Sequence, residues 1–279
     1  MSLEGRDVRN KPVAFPVRLA IFLLSVIFVA WRSEQVSAQN IDKARQYEAC
    51  LRLSVIDAEQ AFETGLAWQD NGGGDGALHC IAVALIGMGH FKEGARRLEA
   101  LAPAMEAETT PALRAEVLAQ AGQAWLRADN LDRAFAVQTA ALKLAQPGSM
   151  AFAEILIDRA ITLAQANHFW ESIDDLNMAT ELVRDLNDGG PEQTFSLVLR
   201  ASAYRFVDVL LLALEDVEAA LALSPDYPEA LLERGIIRRL MADDAGARND
   251  WLTLMRLHNG TPAAEAARRN IEKLDIKIP

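Results

Sequence analysis

The sequence predicts an all-α chain, a row of helical hairpins behind an N-terminal leader, and three observations carry that prediction. Ala (48) and Leu (37) supply 85 of the 279 residues while aromatics make up 6%, a bias toward helix formers that an all-β sandwich or barrel would not show. An Arg, a small residue directly after it and an Asp sixteen positions beyond the Arg recur three times: Arg159-Ala160 with Asp175, Arg200-Ala201 with Asp216, and Arg234-Gly235 with Asp250. Apolar residues around these anchors keep helical spacing, as in Leu197, Ala201, Tyr204 and then Leu210, Ala213, Val217, Ala220, Leu221. Each unit therefore reads as two amphipathic helices joined by a tight turn.

The leader comes first in the chain. Arg6, Arg9, Lys11 and Arg18 precede an apolar run from Leu19 to Trp31, and Val36-Ser37-Ala38 gives a small-x-small pattern before Gln39. That is the layout of a secretory signal peptide over residues 1–38. Thirteen helical residues rise about 20 Å, short of the ~30 Å hydrocarbon core of a bilayer. The alternative is an uncleaved anchor over residues 19–31, in which case the protein is a membrane-tethered assembly factor; Arg32 and Glu34 make the cleavage region unusually charged. Export implies a periplasmic location, with contact to a membrane only through an uncleaved leader. Cleavage would leave 23 basic against 36 acidic residues, a net −13 compared with −11 for the whole chain. Such a balance excludes non-specific nucleic-acid binding, which needs a surplus of Lys and Arg.

Cys50 and Cys80 are the only cysteines. In an oxidising compartment they are expected to form a disulfide, which would stabilise by about 3–4 kcal/mol through the entropy of the loop that it closes; the other reading is a pair of buried thiols packed as small hydrophobes. His79 beside Cys80 does not complete a metal-ligand set, and no metal or cofactor is expected. The remaining histidines (His90, His168, His258) are scattered and read, like His79, as incidental. No nucleophile elbow, zinc-protease motif or phosphate-cradling glycine loop occurs, so no catalytic residue is assigned and a non-enzymatic role is expected.

The Arg–Asp skeleton is a packing device in this reading: Ala160, Ala201 and Gly235 let two helices approach, with Ala134, Ala213 and Ala247 doing the same from the return helix. Arg159, Arg200 and Arg234 pair with Asp175, Asp216 and Asp250 between the two helices of a unit. Recurrence in three units argues for structure, since an active site is assembled once.

These segments resemble tetratricopeptide repeats, helix–turn–helix units with a period of 34 residues. The resemblance is clearest over 194–227 (Ala201, Tyr204, Ala213, Ala220-Leu221, Pro225) and 115–148 (Gly122, Trp125, Ala134, Ala141-Leu142). It extends to 228–261 (Gly235, Ala247, Trp251), 153–186 (Ala160, Phe169, Ala179) and 75–108 (Ala82, Gly89-His90-Phe91, Leu98), with a degenerate unit over 39–72. Gly72-Gly73-Gly74, an acidic connection from Ala102-Pro103 to Pro111, Pro147-Gly148 and Gly189-Gly190-Pro191 separate the units. Residues 262–279 read as a capping helix and tail.

The resemblance implies a right-handed α-α superhelix, the tetratricopeptide solenoid, that acts as a protein-interaction scaffold, here of the cell envelope, holding a partner peptide or protein on its concave face. The first helix of each repeat would line that face, with Arg127, Ile157, Gln165, Phe195, Arg205, Phe206 and Arg239 as groove residues beside Ile161, Val198, Leu232 and Ile236. Arginines next to apolar anchors would suit a partner carrying carboxylates; the other reading packs the apolar side chains between repeats. The basic-asparagine clamp of some family members is absent, because His79, Ala119, Ile157, Val198 and Leu232 occupy its main basic position.

Overall fold

The computed structural model describes residues 38–275 except 107, 108 and 188. The expected signal peptide, apart from its last residue, and with it the apolar run 19–31 and the cleavage-or-anchor question, lies outside the described residues. Among the described residues there are thirteen helices and no strands: α1 (Ala38–Ile56), α2 (Ala58–Asp70), α3 (Gly74–Gly87), α4 (Phe91–Ala104), α5 (Pro111–Arg127), α6 (Leu131–Leu144), α7 (Met150–Gln165), α8 (Phe169–Leu186), α9 (Pro191–Phe206), α10 (Leu210–Leu223), α11 (Pro228–Leu240), α12 (Asp244–Leu257) and α13 (Pro262–Asp275). None of them is long and apolar enough to cross a membrane.

Odd and even helices pair as antiparallel hairpins, and each hairpin packs on the next. Five hairpins, from α3–α4 to α11–α12, share one three-residue turn. Its middle residue is left-handed every time: Gly89, Asp129, Asn167, Asp208 and Ala242, with φ of 83, 57, 64, 63 and 65°. The last turn residue donates its N–H to the carbonyl five positions back, as His90 does to Leu85 (2.8 Å) and Asp243 to Arg238 (2.8 Å). This is the Schellman closure, which satisfies carbonyls left open at a helix end. Successive turns lie 40, 38, 41 and 34 residues apart, so only the last interval keeps the 34-residue period. Helices α5, α7 and α9 begin three or four residues ahead of the expected units, whereas α11 begins at Pro228 as expected. Thr110 caps α5 with Pro111 in its first turn, and Ser149 caps α7. Pro191 and Pro228 open α9 and α11, where a fixed φ is pre-organised for helix. Pro103, expected to start a connection, instead lies in the last turn of α4.

The interior is a continuous seam of alanines with larger fillers. Trp251 is fully buried on α12 and its indole N–H donates to the Leu232 carbonyl at 3.3 Å. Gly235 is what admits it, because a Cβ there would lie 2.3 Å from the indole nitrogen. The Arg–Asp skeleton is bidentate in all three units: Arg159 meets Asp175 at 2.7 and 2.6 Å, Arg200 meets Asp216 at 2.7 and 2.6 Å, and Arg234 meets Asp250 at 3.0 and 2.7 Å. Two of these arginines also reach the preceding unit, Arg159 donating to Thr139 and Arg200 to Asn177. The pairs therefore fix register between hairpins as well as within them. A Cys50–Cys80 disulfide, with Cα atoms 6.1 Å apart, ties α1 to α3.

The inner side of the stack is set by which helices touch. First helices of neighbouring units pack on each other (α5 on α7, α7 on α9, α9 on α11, α11 on α13), whereas return helices do not do so to a comparable extent. The first helices thus form the concave wall, and α13 continues it beyond the last hairpin.

Candidate ligand-binding groove

Along α7 the residues Glu154, Asp158, Ile161 and Gln165 recur at helical spacing, and this stripe, flanked by α5 and α9, forms the inner surface. Two hollows lie along it. A cavity of about 70 Å³ between α5 and α7 is lined by Glu116, Gln120 and Gln123 on one side and Glu154, Ile155 and Asp158 on the other. A shallower trough follows, between α7, α8 and α9, made by Ile161, Ala164, Gln165, Phe169 and Phe206. Phe169 and Phe206 stack with centroids 4.5 Å apart and planes within 5°.

The cavity is strongly acidic. Gln123 donates to Asp158 at 2.8 Å, yet burial still pushes the Asp158 carboxyl up to about 7. Burial also raises Glu154 to about 7, reinforced by the charges of Asp158, Glu192 and Glu116. Glu116 is raised by burial. No Lys or Arg figures among the charges acting on these three carboxylates. The acids that are fully buried, Asp175, Asp216, Asp250 and Glu233, each pair with arginine, whereas Glu116, Glu154 and Asp158 are half-buried around the cavity without one.

A buried polar chain backs the cavity. His79 on α3 is bound on both sides, to the Tyr47 hydroxyl at 3.0 Å through Nδ1 and to Gln120 Oε1 at 2.8 Å through Nε2. A neutral ring protonated on Nε2 satisfies both contacts, and burial lowers its pKa against the opposing Gln120 bond. Burial, then the charge of Glu116, pushes Tyr47 up to about 12. His79 is thus no incidental residue. It joins α1, α3 and α5 beside the disulfide, and its partners lie 32 and 41 residues away in sequence, beyond the reach of any local motif.

The expected groove residues divide. Gln165 is exposed on the trough and Phe206 lines it. Phe195 is half-buried and packs into the seam with Leu156 and Leu199. Ile157, expected on the groove, is 5% exposed, and Val198 and Leu232 are buried with it. One residue's rotation from Asp158 turns Ile157 off the inner stripe and into the core. Arg205, expected to meet a partner's carboxylate, is already bound: its Nε donates to Glu233 at 2.5 Å with the side chain 8% exposed, and its guanidinium lies 4.3 Å over the Phe206 ring. Arg127 sits over the Phe91 ring at 5.6 Å. Arg239 is half-buried at the end of α11. Of the expected groove arginines, Arg205 is therefore corrected to an interior residue paired with Glu233, and the unpaired carboxylates of the groove lie at the α5–α7 cavity. No group of three or more His, Cys, Asp or Glu side chains among the described residues could hold a metal ion.

This arrangement is the fold of tetratricopeptide-repeat proteins, and solved structures agree. BtubC (BKLC) from P. vanneervenii is similar over 85% of this chain and 94% of its own, with a TM-score of 0.59 at 16% identity. PilF from Pseudomonas aeruginosa is similar over 82% of this chain and 99% of its own, with a TM-score of 0.60 at 14% identity. YrrB, described as a tetratricopeptide-repeat protein with an unusual peptide-binding site, is similar over 73% of this chain and 96% of its own, with a TM-score of 0.51 at 13% identity. No protein-family model and no curated protein matches the sequence.

Proposed function

We propose that this protein is a non-enzymatic interaction scaffold of the cell envelope that holds a partner peptide or protein on its concave face. The observation that carries the reading is the inner stripe of α7 with its flanking helices. It leaves a carboxylate-lined cavity and an aromatic-floored trough that no other part of the described chain covers. Charge partly withdrawn from water without a partner opposes folding, so a groove of this kind is explained by what it binds. The peptide-binding site named for YrrB is a precedent for a peptide held on the same fold. Export to the periplasm rests on residues 1–38 alone, as does the alternative of an uncleaved anchor.

A photo-crosslinking residue at Gln165, exposed on the trough, tests the face in cells against one at Leu211, 74% exposed at the start of a return helix. A discrete adduct from Gln165 and none from Leu211 is expected; the reverse pattern moves the interaction off the concave face. Intact mass of the purified protein decides the address, because loss of residues 1–38 excludes the anchor.

A further inference from the structure

The inner stripe changes character along α7. Glu154 and Asp158 face the cavity, and Ile161 and Gln165, up to about 16 Å further along the helix axis, face the trough with its Phe169–Phe206 stack. Where the fold itself needs a buried carboxylate, it supplies an arginine, as at Asp175, Asp216, Asp250 and Glu233. At the half-buried Glu116, Glu154 and Asp158 it supplies none, and Glu192 at the start of α9 adds to the repulsion at Glu154. These carboxylates weaken the folded chain when ionised, and the complement they lack is a cation. The cavity, at about 70 Å³, exceeds the roughly 10–15 Å³ that one water needs and admits a side-chain ammonium or guanidinium. The absence of a metal-holding cluster among the described residues and the apolar trough alongside both favour an organic cation carried on a chain with an apolar neighbour.

We infer that the groove binds a basic segment of a partner protein, with a Lys or Arg side chain entering the α5–α7 cavity and an apolar side chain of the same segment lying against Ile161, Phe169 and Phe206. The inference rests on the concave-face reading and names the chemistry of its partner. It inverts the arginine-to-carboxylate recognition expected from the sequence. The titratable groups lining the cavity are Glu116 from α5 and Glu154 and Asp158 from α7; Glu192 from α9 adds its charge at Glu154, and His79 from α3 and Tyr47 from α1 stand behind Gln120. A cation among them favours the ionised carboxylates, so binding near pH 7 releases protons.

The probe is a fluorescent twelve-residue peptide of Lys, Leu, Ser and Gly, compared by anisotropy titration with a counterpart in which every Lys is Glu. The Lys peptide binds and the Glu peptide does not. Glu154→Gln with Asp158→Asn raises Kd at least tenfold. Glu181→Gln with Asp185→Asn, which removes the same two charges from the solvent face of α8, changes Kd less than twofold. Equal weakening by both pairs would reduce the binding to diffuse attraction by an acidic protein and overturn the inference. Binding of the Glu peptide that is lost in Ile161→Ser would also overturn it while leaving the concave-face reading intact. Unfolding is not a confounder, because neutralising two repelling carboxylates leaves the pH 7.5 melting temperature at or above that of the parent. Calorimetry in phosphate and in Tris supplies a second readout: proton release on binding in the parent and none in the Glu154/Asp158 variant, with identical release in both overturning the placement of the cation.

Discussion

Gln138 on α6 is fully buried, and neither its Oε1 nor its Nε2 has a hydrogen-bond partner. It lies against Gly122, where a Cβ would come within 2.6 Å of its Cγ, so the glycine on α5 exists to admit an unbranched side chain on α6. A buried amide without partners carries a desolvation cost of about 1–3 kcal/mol. Gln138→Met keeps the unbranched shape and removes that cost, and we expect it to stabilise the protein by about 1 kcal/mol, read as a higher urea midpoint at unchanged slope. A lower midpoint would mean that the amide is satisfied by ordered water. Gly122 was legible in the sequence as part of the repeat resemblance over 115–148, but its partner was not, because nothing local marks Gln138 as an inward-facing position. Arg205 shows the same limit from the opposite side. Basic and near the end of a first helix, it reads as a groove residue until its bond to Glu233, 28 positions away, places it in the interior.

At the scale of the element, α7 carries both what the sequence discloses and what it hides. Its face toward α8 holds Arg159 and Ala160, and the sixteen-residue interval from Arg159 to Asp175 is long enough to cross one hairpin, so helix, turn and pairing are readable from one stretch of chain. Its inner face holds Glu154 and Asp158, an i, i+4 acidic pair that in isolation looks like any solvated helix surface. Only the approach of α5 and α9 turns the pair into a half-enclosed cluster with Glu116 and Glu192, drawn from 38 positions on either side of Glu154. The consequence is a specific pH dependence. Folding raises both carboxyls from the ordinary carboxylate range to about 7, so between about pH 4 and 7 the folded chain binds more protons than the unfolded one and loses stability as pH rises. His79 works in the other direction, since its lowered pKa costs stability as pH falls below that of a free imidazole. Comparing the parent with Glu154→Gln/Asp158→Asn cancels the histidine. The difference in melting temperature is expected to favour the variant, to grow from pH 4 to 7.5 and then to level off; a difference flat across that range would place both carboxyls in ordinary solvent.

Over the whole molecule, stability is shared between neighbours along a line, since each hairpin contacts only the units beside it. The two ends are closed differently. At the N-terminal end, a single residue, Asp57, joins α1 to α2 in place of the three-residue turn, and the disulfide to α3 with the Tyr47–His79–Gln120 chain supplies the tie that turn geometry does not. At the C-terminal end the closure is α13, which buries Ala264, Ala267 and Asn270, half-buries Ile271 and Leu274 against the last hairpin, and pairs Asp275 with Arg248. Its contacts run to both α11 and α12, so it stands where the first helix of a further repeat would stand and covers the seam that such a repeat would bury. Ending the chain at Thr261 uncovers that seam without touching any other hairpin. In hydrogen exchange the truncated protein should therefore lose amide protection first and most in α11 and α12, less in α9 and α10, and not measurably in α3 to α6. The sign of a linear stack is that gradient. Uniform loss of protection across all hairpins would instead mean that the chain unfolds as one cooperative body, with α13 supporting the whole molecule and not only its end.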